Sequence, residues 1–193
     1  MTAFLETARL VLREFTDSAA DVDALFALDD DPEVMRFLNG GRPASRAAIE
    51  ARTLPRMRAG FPAYGDAVAC WAAQERSTGR FVGWFALVPV DPDSPAVADL
   101  GYRLRRDAWG RGYATEGAVA VVDKGFRDLG VQTVVADTMT VNARSRRVLE
   151  KAGLRFVRPF TAEWPEVIEG SEQGDVEYAL TRDAWAAAGA ARG

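Results

Sequence analysis

The sequence predicts a single α/β domain, a mixed and mostly antiparallel central sheet flanked by helices. Three observations carry this. Strand-like and helix-like stretches alternate along the chain rather than segregating into halves. Val68 to Glu75 and Phe81 to Val88 are apolar runs joined by Arg76-Ser77-Thr78-Gly79, which reads as an antiparallel hairpin. Val97 to Leu104 leads through a glycine turn into an amphipathic helical stretch, so helices lie on the faces of the strands. At 193 residues one domain spanning 1–193 is the default, and no repeat, low-complexity tract or linker divides the chain. The last ~8 residues read as a disordered tail.

The elements follow in order. Arg9 to Phe15 reads as a first strand. Val22, Leu25 and Phe26, then Val34, Phe37 and Leu38, have helical spacing interrupted near Pro32. Ser45 is placed to cap a helix running towards Gly60, with Pro55 kinking or ending it. The hairpin comes next, and Asp91-Pro92-Asp93-Ser94-Pro95 reads as a loop. In the helix Thr115 to Leu129, Ala118, Val122, Phe126 and Leu129 share one face, and Gly130 ends it. Thr133 to Met139 is a β-branched strand. Asn142 to Lys151 is a short helix with Val148, Leu149 and Ala152 inward. Leu154 to Phe160 and Val176 to Leu180 are the last strands. Between them, Trp164 to Gly174 reads as a mobile acidic loop.

Composition excludes several chemistries. The chain has no histidine, which removes Ser–His and Cys–His nucleophilic machinery and most zinc sites, and no metal is expected. Its one cysteine, Cys70, lies in the apolar run Val68 to Ala73 and reads as a buried structural thiol. The net charge of −4 argues against nucleic acid as a partner. No apolar run approaches the ~20 residues that span a bilayer, and the first residues lack a leader pattern. A cytoplasmic monomer or homodimer is the expectation.

The most informative stretch is Trp109-Gly110-Arg111-Gly112-Tyr113-Ala114-Thr115-Glu116. Glycines at 110 and 112 permit a tight turn with no side chain over it. The helix that follows begins with amide N–H groups that lack intrahelical acceptors, and the positive end of its dipole adds to them. Such a turn can hold phosphate, or it can be a plain strand-to-helix connection. A dinucleotide fingerprint is excluded because Thr115 stands at the third glycine position, and no Gly-Lys-Ser/Thr follows to make a P-loop.

A second segment bears on the choice between these readings. Asn142-Ala143-Arg144-Ser145-Arg146-Arg147-Val148-Leu149-Glu150-Lys151-Ala152-Gly153-Leu154 together with the glycine turn resembles the GCN5-related N-acetyltransferase (GNAT) family. It is most similar to the family's branch of ribosomal-protein N-terminal acetyltransferases. Gly112 and Ala114 match the last two fixed positions of the family's phosphate loop, while Trp109 stands where Gln or Arg is usual, as is common in that branch. Asp31 to Leu38 resembles the branch's first-helix signature and Asp175 to Leu180 its last strand.

The resemblance implies an acyl-CoA N-acyltransferase fold, with acetyl-CoA as cosubstrate and an amine as acceptor. The backbone of Gly110, Arg111, Gly112, Tyr113, Ala114 and Thr115 would cradle the pyrophosphate, and Trp109 would be a wall or core anchor. Leu104 and its neighbours would bind the pantetheine arm as a pseudo-strand, and the Asn142 side chain would contact the same arm. Capping the following helix is the other role open to Asn142. Many family members place an acidic base where Asp99 stands, though an exposed strand charge is the alternative. Glu116 belongs to the branch signature and either assists catalysis or complements the helix dipole. Leu149 occupies the family's usual tyrosine acid, and Ser145 is the branch's substitute, able to hydrogen-bond the thioester sulfur. Arg144, Arg146 and Arg147 either reach the 3′-phosphate or coat the helix. A non-catalytic acyl-CoA-binding module on the same fold is the alternative function.

A neutral amine is the attacking species. At pH 7 an α-amine is about a tenth neutral, and a lysine amine less than about a thousandth. Deprotonation therefore costs about 1 kcal/mol in the first case and about 5 in the second, which a carboxylate base can offset. In the family the acceptor lies between the segment Asp31 to Gly60 and the loop Trp164 to Gly174. Phe37, Phe61, Tyr64 and Trp164 are candidate walls, and Glu163, Glu166, Glu169 and Glu172 supply negative charge.

Overall fold

The computed structural model describes residues 3–162 and 167–190. Strands β1 (Ala3–Glu6) and β2 (Leu10–Arg13) lead into helices α1 (Ala19–Asp29) and α2 (Pro32–Asn39). Pro32 opens α2 rather than interrupting one long helix: Asp31 is its N-cap, accepting the Glu33 N–H. A helical run follows in three pieces, α3 (Arg46–Ala48), a π-type segment (Ile49–Thr53) and α4 (Leu54–Met57). Pro55 cannot donate to the carbonyl four residues back, and the Leu54 N–H reaches five residues to Ile49 instead. A short ribbon, β3 (Gly60–Phe61) with β4 (Ala67–Val68), precedes the hairpin β5 (Cys70–Glu75) and β6 (Phe81–Asp91).

Strand β7 (Ser94–Leu104) is joined to β6 so tightly that Asp91 pairs with Ser94, and the expected loop 91–95 is a hairpin turn. Helix α5 (Tyr113–Asp128), β8 (Thr133–Met139), α6 (Ala143–Lys151), β9 (Arg155–Phe160), β10 (Asp175–Thr181) and α7 (Arg182–Ala190) complete the chain. The main sheet has the order β1-β2-β5-β6-β7-β8-β10-β9. Neighbours are antiparallel except β7 and β8, which are parallel. The mixed, mostly antiparallel architecture flanked by helices is the one read from the sequence.

Alternation along the strands splits the core between the two faces. On the rear face Leu10, Leu12, Trp71, Phe85, Leu87, Leu100, Val134 and Tyr178 pack beneath α5 and α6. On the front face Phe15, Val22, Leu25, Ile49, Leu54, Met57 and Ala72 form a smaller core under α1 and the α3–α4 run. Helix α5 lies very close to β6: a Cβ on Gly117 would sit 2.1 Å from the Phe85 ring. Its inward face includes Ala118, Val121, Val122 and Phe126.

Two elements escape the sequence reading. The N-terminal strand β1 pairs with β2, and Phe4 stacks on Trp71 with centroids 3.9 Å apart. Helix α7 occupies positions 186–190, read from sequence as tail. Its Trp185 donates to Asp123 at 2.5 Å and packs on Phe126. Cys70 is partly covered, and burial pushes its thiol up to about 12, which suits a structural residue. Among the described residues, no helix is long and apolar enough to cross a membrane.

Candidate active site

The site begins with a fault in the sheet. Strands β7 and β8 pair only at Val97/Thr133, Ala98/Val134 and Asp99/Val135. Beyond these, β7 continues to Leu104 and β8 to Met139 without pairing to each other. The strands part and leave a notch whose facing backbone groups are free to meet a ligand with a peptide-like edge.

The mouth of the notch is the turn into α5. Gly110 and Gly112 adopt φ of 73° and 82°, which other residues reach only with strain. A Cβ on Gly110 would meet nothing within 4 Å, so this backbone is open on its outer side. Gly112 is the N-cap of α5 and offers no side-chain cap, so the first-turn N–H groups of this 16-residue helix stay available for an anion.

The turn is held from behind by a network of side chains that the sequence reading did not foresee. Glu75, at the end of β5, accepts hydrogen bonds from Tyr113 at 2.5 Å, Thr78 at 2.7 Å and Arg111 at 3.0 Å. The Tyr113 and Thr78 hydroxyls, helped by the nearby arginines, hold its carboxyl down at about 2 against the opposing effect of desolvation. Arg9 lies over one side of the system: its guanidinium donates to the Arg111 carbonyl at 2.8 Å and to Glu116 at 2.6 Å. Arg9 and Arg111 both stack on the Tyr113 ring. Trp109 is a wall, with its indole N–H donating to the Leu104 carbonyl at 2.8 Å and Arg144 lying over its ring.

Glu116, open to either a catalytic or a helix-dipole role, is engaged in this network. Its carboxylate accepts from the Thr7 hydroxyl, the Arg9 N–H and the Arg9 guanidinium at 2.6, 2.8 and 2.6 Å. Burial alone would raise its pKa, but these bonds outweigh it and hold the carboxyl low. Glu116 is a tie between the first strands and the turn, committed to donors on every side.

Asp99 stands at the floor of the notch, on the last residue of β7 that pairs with β8. Asp137 and Glu177 are paired neighbours on β8 and β10, and all three line a cavity of about 340 Å³ with Val90, Arg158 and Phe160. Asp99 keeps an accessible tip, yet the surrounding protein displaces enough water to raise its pKa to about 6, with help from the Asp137 charge. Asp137 is itself raised, by burial and by Asp175. Glu177 is paired to Arg158 at 2.7 Å.

The other wall is α6. Asn142 caps it, with its side-chain oxygen accepting the Ser145 N–H at 3.2 Å. Its amide nitrogen end is left for other contacts. The Ser145 hydroxyl lies 2.9 Å from the Tyr102 hydroxyl. Leu104 and Leu149 are both core residues, so Leu104 offers only its backbone to the notch, and α6 carries no acid at 149. Of the three arginines on α6, Arg146 turns inward to Tyr178 and the Thr140 carbonyl, leaving Arg144 and Arg147 exposed.

On the acceptor side, the described part of the acidic loop is anchored rather than free. Ile168 is buried against Gly40 of the α2 terminus, and Arg36 of α2 pairs with Glu169 at 2.8 Å. Glu172 accepts the Gly170 N–H. Tyr64 donates its hydroxyl to the Leu87 carbonyl at 3.0 Å and braces the sheet. Glu163, Trp164 and Glu166 lie outside the described residues.

Comparison with known proteins agrees with this geometry. Residues 9–155 match the family described as Acetyltransferase (GNAT) domain. The FsC-acetyl coenzyme A-N(2)-transacetylase of Aspergillus fumigatus is 36% identical over 94% of this chain and 77% of its own. The spermidine N-acetyltransferase of Vibrio cholerae, solved with CoA and spermine, superposes with a TM-score of 0.74 over 93% of this chain and 99% of that one, at 14% identity. An aminoglycoside acetyltransferase solved with coenzyme A and kanamycin gives a TM-score of 0.69 over 92% and 98%, at 19% identity. The split between β7 and β8, the glycine turn at the head of α5 and these matches lead to one conclusion: the chain belongs to the GNAT family of acetyltransferases.

Proposed function

We propose that this enzyme transfers the acetyl group of acetyl-CoA to a primary amine by direct attack in a ternary complex. The observation that carries the reading is the alignment of three parts: an anion cradle at the α5 N-terminus, a notch with unpaired strand edges, and Asp99 at its floor. The backbone from Gly110 to Thr115 takes the pyrophosphate. The β7 edge from Leu100 to Leu104 and the free end of Asn142 take the pantetheine amides. Ser145 lies beside the sulfur.

Asp99 is the base. A carboxylate with a pKa near 6 is ionised at pH 7 to 8 yet is a stronger base than an ordinary aspartate. It accepts the amine proton directly or through one water as nitrogen attacks the carbonyl. Asp137 raises its basicity, and the negative cavity attracts the ammonium form of the acceptor.

The acceptor class follows from the same cavity. It is a cationic amine whose neighbouring atoms are small or flexible. The Aspergillus relative, by its name, acetylates an N(2) nitrogen, and the Vibrio neighbour holds spermine. The likeness to the ribosomal-protein branch keeps a protein N-terminus among the candidates. An amine panel incubated with acetyl-CoA and read by mass spectrometry tests the proposal. Transfer to at least one amine, with release of CoA, is expected. Binding of acetyl-CoA with no transfer to any panel member would favour the non-catalytic acyl-CoA-binding module.

A further inference from the structure

We propose that Tyr102 is a positioning residue for the leaving thiolate, holding the Ser145 hydroxyl across the notch with the serine proton turned towards the sulfur. This rests on the reading that the acetyl-CoA arm lies between β7 and β8.

The geometry starts from what the sheet cannot do. Past Asp99/Val135 no ladder bonds join β7 to β8. Tyr102 lies three residues past that point on β7, and its side chain leaves the rear face, opposite to Asp99. There it meets the first turn of α6, which the chain reaches only after β8. Its phenol oxygen is 2.9 Å from the Ser145 hydroxyl and 3.2 Å from the Ser145 carbonyl. The contact therefore bridges β7 and the helix that follows β8, beyond the point where the two strands part. Asp99 faces the acceptor on one side of the arm and Ser145 the sulfur on the other.

The single Tyr102 proton can go to the Ser145 carbonyl or to the Ser145 hydroxyl, and the charge in the notch selects between the two. Burial raises the Tyr102 phenol to about 12, against a lowering hydrogen bond with Ser145, so it stays protonated at working pH. The Ser145 carbonyl can only accept, and the hydroxyl can accept or donate. A negative sulfur in the notch selects the arrangement in which Tyr102 donates to the Ser145 oxygen and Ser145 donates to sulfur. A hydroxyl that accepts a hydrogen bond becomes a better donor. The backbone of Ser145 is held by the Asn142 cap, which keeps its side chain at the same place on the first turn of α6. With Leu149 in the core, α6 supplies no acid at that position.

The step balances without a proton on sulfur. The amine nitrogen forms its bond to the acetyl carbon, and the carbon–sulfur bond breaks with its electron pair left on sulfur. The amine proton goes to Asp99 or its water. The thiolate accepts the hydrogen bond from Ser145, whose proton remains on oxygen, and the thiol is protonated from solvent on release.

The test is the thiol pKa of bound CoA, followed by thiolate absorbance as pH is raised. Wild type, Tyr102→Phe, Ser145→Ala and the double variant are compared, with CoA affinity and melting measured on each. In wild type the bound thiol should titrate about one unit lower than in Ser145→Ala. Tyr102→Phe should lose most of that difference, and the double variant should lose no more than Ser145→Ala alone, because the two act in series. Affinity for CoA at low pH, where the thiol is protonated, should change by less than about twofold. A Tyr102→Phe variant that keeps the wild-type thiol pKa overturns the proposal, as do shifts that add in the double variant. Failure of wild type to bind CoA would overturn it together with the proposed function. Binding with an indifferent Tyr102 overturns it alone.

Discussion

Asp99 is where chemistry and stability pull apart. Its pKa in the fold is raised, so the stability it contributes is full below its ordinary value near 3.8 and is lost as pH rises through about 6. Asp99→Asn should therefore melt no lower than wild type at pH 8, while kcat falls by about a hundredfold or more. The rise of kcat/KM with pH through about 6 should vanish with it. Asp137→Asn offers a finer check. Removing the neighbouring charge should move that rise to lower pH without abolishing it. A pH–rate profile unchanged in Asp99→Asn would return Asp99 to the status of a strand charge. Asn142→Ala should cost about 0.5–2 kcal/mol of stability as a lost cap. A weakened CoA affinity beyond that would assign its free amide end to the arm. At this scale the candidates came from the resemblance to the GNAT family rather than from residue type alone. Asp99, Asn142 and Ser145 could each be singled out before any fold was known. Tyr102 could not, because its meaning lies in a contact 43 positions away in the chain. The partners of Glu116 were hidden for the same reason: Thr7 and Arg9 lie in the connection between β1 and β2, more than a hundred positions away.

The elements are tuned to keep the glycine turn open and still. Glu75 comes from the end of β5 and Arg9 from the bend between β1 and β2, yet both end on the turn. Their bonds bury the Tyr113 ring and tie the exposed Arg111 back to Glu75, which leaves the turn's backbone amides uncovered for the proposed phosphate contact. Glu75→Gln should loosen this arrangement and weaken CoA binding, with a smaller effect on kcat. Its folded pKa is depressed, so its contribution to stability is present above about 4.5 and is lost as pH falls through about 2. The melting difference between wild type and Glu75→Gln should accordingly shrink over that window. A difference independent of pH would mean the carboxylate charge is not what matters. Most elements were legible because periodicity and punctuation agree: Gly130 and Gly153 end helices, and β-branched residues fill β8. The alanine-rich α7 was not, since its one anchor, Trp185, has no periodic companions. The splay of β7 from β8 is also invisible in sequence, because both strands keep strand-like composition beyond the point where they part.

On the scale of the whole molecule, the proposed function puts cofactor and acceptor on opposite faces of one gap in the sheet. The rear face, under α5 and α6, is the large apolar core, and the front face carries Asp99, Asp137 and Glu177. The loop carboxylates that sequence suggested for steering are partly committed, Glu169 to Arg36 and Glu172 to the Gly170 N–H. In the proposed function, the attraction for a cationic amine is assigned to Asp99, Asp137 and Glu177 of the cavity. For such a substrate kcat/KM should fall as salt rises, since exposed charges are screened beyond ~8–10 Å at physiological ionic strength. A salt-insensitive rate for a polyamine would remove steering from the account. The central claim is that acetyl-CoA lies on the Gly110–Thr115 backbone and threads the β7–β8 notch, and calorimetric titration of CoA into wild type and Gly112→Val tests it most directly. Gly112 has φ of 82°, and a Cβ there would sit 3.3 Å from the Arg9 guanidinium, so valine both strains the turn and displaces the arginine that holds it. The expected result is saturable binding to wild type and a loss of about tenfold or more in a variant that still melts cooperatively. Undiminished affinity in folded Gly112→Val would contradict the account.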